Sequence, residues 1–317
     1  MENNEKIKEL LEQNYNELCS LIANTEDDSL LLDFFNCLFT PAEKEDFAKA
    51  ESYYEKLLEV DANNIENMVN LAKVYLQLEK IDKTKEILLK AENSSPSNTE
   101  VLTALAGFYT YTQEFDKAKN YCNQIIQKLP QSPLGYRKLA QLNEAMGNNH
   151  LAHFNYGIYH EHRNEIDEAV NEYTSALQYN KDDFETIRRL ANLHESLGEL
   201  EIAADYYHSL FEANVDIITT TQKVANVYMK LNDYEMAQRY IEKALKENYD
   251  IELQFINAKC LYKLKDFEGA LEALEEYKEK SKSLENIEET NALIEELQEK
   301  QENNTSLFSR LFGFLDK

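Results

Sequence analysis

The chain has 317 residues, with 33 Lys and Arg against 59 Asp and Glu, a formal charge of −26. So acidic a surface repels phosphate backbones and anionic lipid, which argues against nucleic acid and favours basic or locally basic protein partners. An apolar share of 43% is enough for a substantial core, while seven glycines, four prolines and no tryptophan favour helix over strand.

The N-terminus, MENNEKIKELLEQN, has no basic region leading into an apolar run, so no signal peptide is expected. No apolar stretch approaches the roughly 18 residues of a membrane span. Cys19, Cys37, Cys122 and Cys260 are far apart and form no CxxC or Cys/His zinc spacing. They are expected to be small buried apolar residues in a reducing compartment, and the expected location is the cytoplasm.

Residues 1–28 are assigned to an N-terminal capping helix, because Ile7, Leu10, Leu11, Leu18, Leu21 and Ile22 follow helical spacing. From about residue 29 the sequence becomes periodic. Ala50, Thr84, Ala118, Ala152, Ala169, Ala203, Ala237 and Ala270 are separated by 34, 34, 34, 17, 34, 34 and 33 residues. In step run the pairs Leu71-Ala72, Leu105-Ala106, Leu139-Ala140, Tyr156-Gly157, Leu190-Ala191, Val224-Ala225 and Asn257-Ala258. A third ladder is Tyr75, Tyr109, Asn143, His160, His194, Tyr228 and Leu261. The physical reading is a stack of two-helix hairpins, with small residues where helix axes approach and large ones in the gaps. A single hairpin cannot bury its apolar face alone, so neighbours stack.

Local signals agree: Ser132-Pro133 is an N-cap followed by a first-turn proline, and Gly147 and Gly198 fall where first helices should stop. The 17-residue interval is half a repeat. Helices are therefore expected at about 133–147, 149–163 and 166–180, the middle one serving two hairpins. That divides the array into sub-arrays 29–163 and 149–282, sharing the helix 149–163. A C-terminal capping helix is expected over 283–302, on Leu284, Ile287, Ala292, Ile294 and Leu297. Residues 303–317 are expected to be a linker, within the stretch QENNTS that starts at Gln301, and a short amphipathic tail. On that tail Leu307, Phe308, Leu311, Phe312 and Leu315 share a helical face with Phe314 beside it. The tail can dock on its own array, anchor in a partner's groove, or make peripheral contact with a membrane; Arg310 and Lys317 alone give it positive charge.

No phosphate-binding glycine loop, HExxH, GxSxG or kinase signature occurs, so no catalytic residue and no cofactor is assigned. His150, His153 and His160 could share one helix face at a spacing that binds zinc or copper. His160 and His194, however, occupy the slot filled elsewhere by Tyr75, Tyr109 and Tyr228. Aromatic packing is the preferred reading, and no metal is assigned.

The segments MVNLAKVYLQLEKIDKTKEILLKAENSSP, VLTALAGFYTYTQEFDKAKNYCNQIIQKLP, TIRRLANLHESLGELEIAADYYHSLFEANVD and TQKVANVYMKLNDYEMAQRYIEKALKENYD carry the full pattern. The half copy FAKAESYYEKLLEVDANN precedes them. The pattern resembles the tetratricopeptide repeat family, over about residues 29 to 282, with Leu71, Ala72, Tyr75 and Pro96 in the family's slots. Thr84 in the alanine slot and the missing prolines after most later repeats are departures. The resemblance implies an all-α solenoid, a right-handed superhelix of hairpins, whose first helices line a groove for a peptide or helix. It implies a protein-interaction scaffold or adaptor rather than an enzyme. The alternatives are a peptide-responsive sensor and, more remotely, an enzyme with an unrecognised site. Some relatives clamp a terminal carboxylate with Lys/Arg and Asn. Arg188 and Asn192 match that spacing, but Lys223, Glu252 and Ile256 stand at the following positions, so the clamp is incomplete. The candidate partner-binding residues are Arg137, Lys138, Arg188, Arg189, Asn192, Lys223 and Asn226, which together suit an acidic segment; the alternative is that they are ordinary surface cations paired with nearby acids.

Overall fold

A computed structural model describes residues 44–281 and 286–312, with side chains described for 47–281 and 286–300. Fifteen helices and no strand occur among them. The expected N-terminal cap and the start of the array at residue 29 lie outside the described residues. Contacts divide the chain into unit 1, residues 1–172, and unit 2, residues 173–317.

Unit 1 contains α1 (Lys44–Val60), α2 (Ile65–Gln77), α3 (Ile81–Ser94), α4 (Thr99–Tyr111), α5 (Phe115–Lys128), α6 (Pro133–Ala145) and α7 (Asn149–His162). Helix α8 (Ile166–Tyr179) begins in unit 1 and ends in unit 2. The first helices of the hairpins, α2, α4 and α6, start at side-chain caps. Asn64 accepts from the Asn67 N–H, Asn98 from those of Glu100 and Val101, and Ser132 from that of Leu134, with Pro133 in the first turn. The small-residue ladder is buried as the spacing requires: Ala72, Ala106 and Ala140 are at most 2% exposed, as are Thr84, Ala118 and Ala152. Thr84 fits its buried slot because its hydroxyl donates to the Lys80 carbonyl at 3.0 Å. Met68, Leu88, Leu105, Phe108 and Leu142 complete this core.

Unit 2 contains α9 (Phe184–Leu197), α10 (Leu200–Glu212), α11 (Ile217–Lys230), α12 (Tyr234–Glu247), α13 (Ile251–Leu264), α14 (Phe267–Lys280) and α15 (Ile287–Phe312). Ala191, Ala203, Ala225, Ala237 and Ala270 are fully buried, and Ala258 nearly so. Helix α15 packs Ile294 and Leu297 against Ala270, Leu274 and Tyr277. Its backbone continues helical to Phe312, so the QENNTS segment lies within a helix and is not the expected linker. The segment contains neither Gly nor Pro, the two strongest helix breakers. The tail side chains from Leu307 to Phe312 are not among those described, and Phe314 and Leu315 lie beyond the described residues.

Each first helix ends in the same turn. Glu79, Gln113, Gly147, Asn164, Gly198, Asn232 and Lys265 have φ between 58° and 77°, the left-handed region. The next N–H bonds back to the carbonyl of the third-ladder residue: Lys80 to Tyr75, Glu114 to Tyr109, Asn148 to Asn143, Glu165 to His160, Glu199 to His194, Asp233 to Tyr228 and Asp266 to Leu261, at 2.8–3.0 Å. This six-to-one bond satisfies a carbonyl left over by the helix and sends the chain directly into the second helix.

Helix α7 has both kinds of end. It starts from Asn148 at φ −84°, ψ 66°, matching Lys80, Glu114 and Glu199 at the starts of α3, α5 and α10. It finishes with Arg163 at φ −92°, ψ −3° and left-handed Asn164, as the first helices do. The second helices α3, α5 and α12 instead leave through Ser95, Leu129 and Asn248, at φ −148°, −129° and −137°. Among the described second helices α10 also ends at a left-handed residue, Asn214, but one further residue precedes the next helix.

Candidate interaction surfaces

At three hairpins a third-ladder ring stacks on a ring of the second helix. Tyr109 stacks on Tyr121, His194 on Tyr206 and Tyr228 on Tyr240, with centroids 5.6–5.7 Å apart and planes within 19°. Each pair is twelve residues apart in sequence. His194 is 8% exposed, and its Nδ1 lies 2.6 Å from Glu199 Oε2. His160 Nδ1 lies 2.8 Å from Glu165 Oε2, and His153 Nδ1 lies 2.7 Å from Glu172 Oε2. These imidazoles are engaged in packing and in contacts with single carboxylates. No group of three or more His, Cys, Asp or Glu able to hold a metal occurs among the described residues.

The candidate cations separate into different settings. On α9, Arg188 pairs with Asp216 at 2.6 Å, and Arg189 lies 3.4 Å from Glu185. Both are thereby held by acids on their own unit. Asn192 Oδ1 accepts from the Tyr207 hydroxyl at 2.8 Å. On α6, Arg137 lies over the Tyr159 ring at 6.0 Å, whereas Lys138 is part-buried and donates to Gln141 Oε1 at 3.0 Å.

Lys223 and Asn226 lie together on α11. They line a depression of about 450 Å³ with Lys230, Lys259, Gln222 and Met229. At its edge Glu195 gathers Lys230 at 2.6 Å, Lys223 at 3.5 Å and the Tyr207 hydroxyl at 2.9 Å. Burial would raise the Glu195 carboxyl, but the bonds from Lys230 and Tyr207 and the two ammonium charges outweigh it and hold it below the usual carboxylate range. Lys259 pairs with Glu289 at 2.8 Å and covers the Phe255 ring. The side-chain amides of Gln222 and Asn226 make no hydrogen bond among the described residues. The depression thus presents three cations, each already paired with Glu195 or Glu289, and two open amides on a chain of charge −26. That combination suits carboxylates and main-chain amides.

Sequence reasoning missed Lys230, Lys259 and the organising Glu195. A signal existed for Lys259: it directly follows Ala258, as Asn192 follows Ala191 and Asn226 follows Ala225. Asn226 and Lys259 at this position both line the depression.

Residues 42–64, 65–98 and 224–284 match the tetratricopeptide repeat family. No curated protein matches the chain. Among solved structures it is similar to a tetratricopeptide repeat protein from Parabacteroides merdae, at 17% identity over 80% of this chain and 93% of that one, with a TM-score of 0.36. It is similar to pilF of Pseudomonas aeruginosa, at 18% identity over 74% and 97% of the two chains, TM-score 0.38. A third similarity is to the Cut9-Hcn1 hetero-tetramer of the APC/C, at 15% identity over 90% of this chain and 59% of that one, TM-score 0.37. Likeness at these scores specifies neither partner nor role. No described helix is long and apolar enough to cross a membrane.

Proposed function

We propose that this chain, a member of the tetratricopeptide repeat family, holds a partner protein by a segment laid along its first helices, and so assists the assembly or regulation of a complex. Tetratricopeptide repeats support an interaction scaffold in general terms, and the fold is typically non-enzymatic. The finer reading, a partner with an acidic segment on α11 and α13, rests on one observation. Lys223, Lys230 and Lys259 converge with the open amides of Gln222 and Asn226 on one depression of an otherwise strongly acidic chain. An acidic segment would exchange the internal pairs with Glu195 and Glu289 for its own carboxylates, keeping the cations neutralised. The half-repeat at α7 supports a second element of the reading, that the sub-arrays on either side of it carry grooves of different chemistry.

Affinity capture from cell lysate, comparing the parent with Lys223→Glu combined with Lys259→Glu, tests the acidic-segment reading. Proteins held by the parent and lost by the variant are the expected result. Identical captured sets would remove this face from the proposal.

A further inference from the structure

Unit 1 has a second concavity with different chemistry. It measures about 240 Å³ and is walled by Ala72 and Leu76 of α2, Leu88 of α3, and Ala104 and Phe108 of α4. It is open along α4 at Gly107, where an added Cβ would meet nothing within 4 Å. An apolar cavity of about 150 Å³ is already large enough for benzene. This one therefore has room for a single leucine- or phenylalanine-sized side chain.

Lys138, reaching from α6, lines the same cavity. Its ammonium donates to Gln141 Oε1 and has no carboxylate partner among the described residues. Burial, the Arg137 charge and the Lys73 charge act together to push this ammonium below the usual lysine range, against a weaker opposing effect from Cys122. A part-buried cation without a counter-ion is costly on its own and is stabilised when a carboxylate arrives.

We infer that the cavity receives one large apolar side chain from an internal segment of a partner protein, and that an Asp or Glu adjacent to that residue pairs with Lys138. The inference rests on the reading that the chain binds a partner along its first helices, and it names a separate anchoring point on α2, α4 and α6. A peptide suits the lining better than a lipid does. Glu100 and the Thr103 oxygen offer acceptors for main-chain N–H groups beside the cation, and Gly107 leaves space for a main chain to pass. Glu100 is already paired at 3.9 Å with Lys73, which lines the same cavity. A carboxylate carried on a side chain next to the apolar residue would pair with Lys138.

The test is to pan a library of displayed internal peptides on the full chain, then measure the best binders as synthetic peptides blocked at both ends. Enriched peptides are expected to place Leu, Ile or Phe next to Asp or Glu. Lys138→Glu should weaken them by at least about tenfold, the loss of one charge-assisted bond. Lys138→Arg should retain them. Gly107→Leu should fill the cavity and abolish binding while melting no lower than the parent, since its side chain enters open space. Enrichment without acidic neighbours, equal binding to Lys138→Glu and Gly107→Leu, or no enrichment at all would overturn the inference. Binding only to peptides with a free C-terminal carboxylate would overturn the internal-segment assignment, and binding of octanoate with no peptide binding would overturn a protein occupant. A captured partner that survives Gly107→Leu but is lost on Lys223→Glu with Lys259→Glu would remove this anchor and leave the broader scaffold reading standing.

Discussion

The rings of Tyr109 and Tyr121 are stacked 5.7 Å apart with 2° between their planes, joining the last turn of α4 to the first half of α5. The Tyr121 hydroxyl also donates to Glu92 at 2.9 Å, tying the α4–α5 hairpin to α3. A double-mutant cycle with Tyr109→Leu and Tyr121→Leu is expected to give a coupling of about 0.5–1.5 kcal/mol, the range for aromatic pairs beyond their buried area. Chemical denaturation of the four proteins measures it. Additive losses would mean the two rings contribute independently.

The left-handed turn residues predict substitutions of opposite sign. Gly147 has φ 74° and open space around its Cβ position, so Gly147→Ala is penalised by backbone conformation alone. It should lose about 1 kcal/mol. Gln113 holds φ 61° with a side chain in place, so Gln113→Gly should gain a few tenths of a kcal/mol after the added chain entropy is subtracted. Thermal melts of the two variants should move in opposite directions.

Two other glycines differ for packing reasons. A Cβ on Gly135 would lie 2.5 Å from Ile126 Cγ1 and 3.2 Å from the Ile126 backbone nitrogen, where α5 and α6 approach. Gly135→Ala should therefore destabilise by about 1–3 kcal/mol, the usual cost of overpacking. Gly107→Ala meets no such obstacle and should stabilise α4 by about 0.5–1 kcal/mol through helix propensity.

Glu195 predicts an acid-side dependence. Its folded carboxyl is held below the ordinary value of 4.5, so it stabilises the fold at pH values above that value. The contribution is lost progressively as pH falls below 4.5 and through the depressed folded value. The melting temperature of Glu195→Gln should fall below the parent's at neutral pH, and the gap should close as the medium is acidified. A gap independent of pH would assign the effect to packing.

Cys122 and Cys260 are fully buried, and burial raises their thiols to about 11 and about 12. Almost no thiolate is present at neutral pH, so both should resist iodoacetamide in the native protein and react on unfolding. Mass-spectrometric mapping of alkylation with and without denaturant checks this.

Much of the architecture was legible in the sequence because close helix packing constrains residue size. Small residues are obligatory where axes approach, so the Ala72, Ala106 and Ala140 ladder and its counterparts fixed helix phase, hairpin period and the half-repeat at residues 149–163. The seven left-handed turns share the same irregular interval but were not legible as a set. Glu, Gln, Gly, Asn and Lys occupy them, and backbone hydrogen bonds rather than residue type impose the conformation. The candidate surfaces were legible only in part. Sequence pointed to Lys223, Asn226 and Lys138, but charge alone did not show that Arg188, Arg189 and Lys223 meet neighbouring acids while Lys138 does not. Which cation meets a carboxylate and which is left beside a cavity depends on side chains brought together from helices about 30 residues apart. Periodicity sets where each helix faces, while the pairing of Lys230 with Glu195 and the unpaired state of Lys138 were decided by tertiary structure, because both depend on distances across helices.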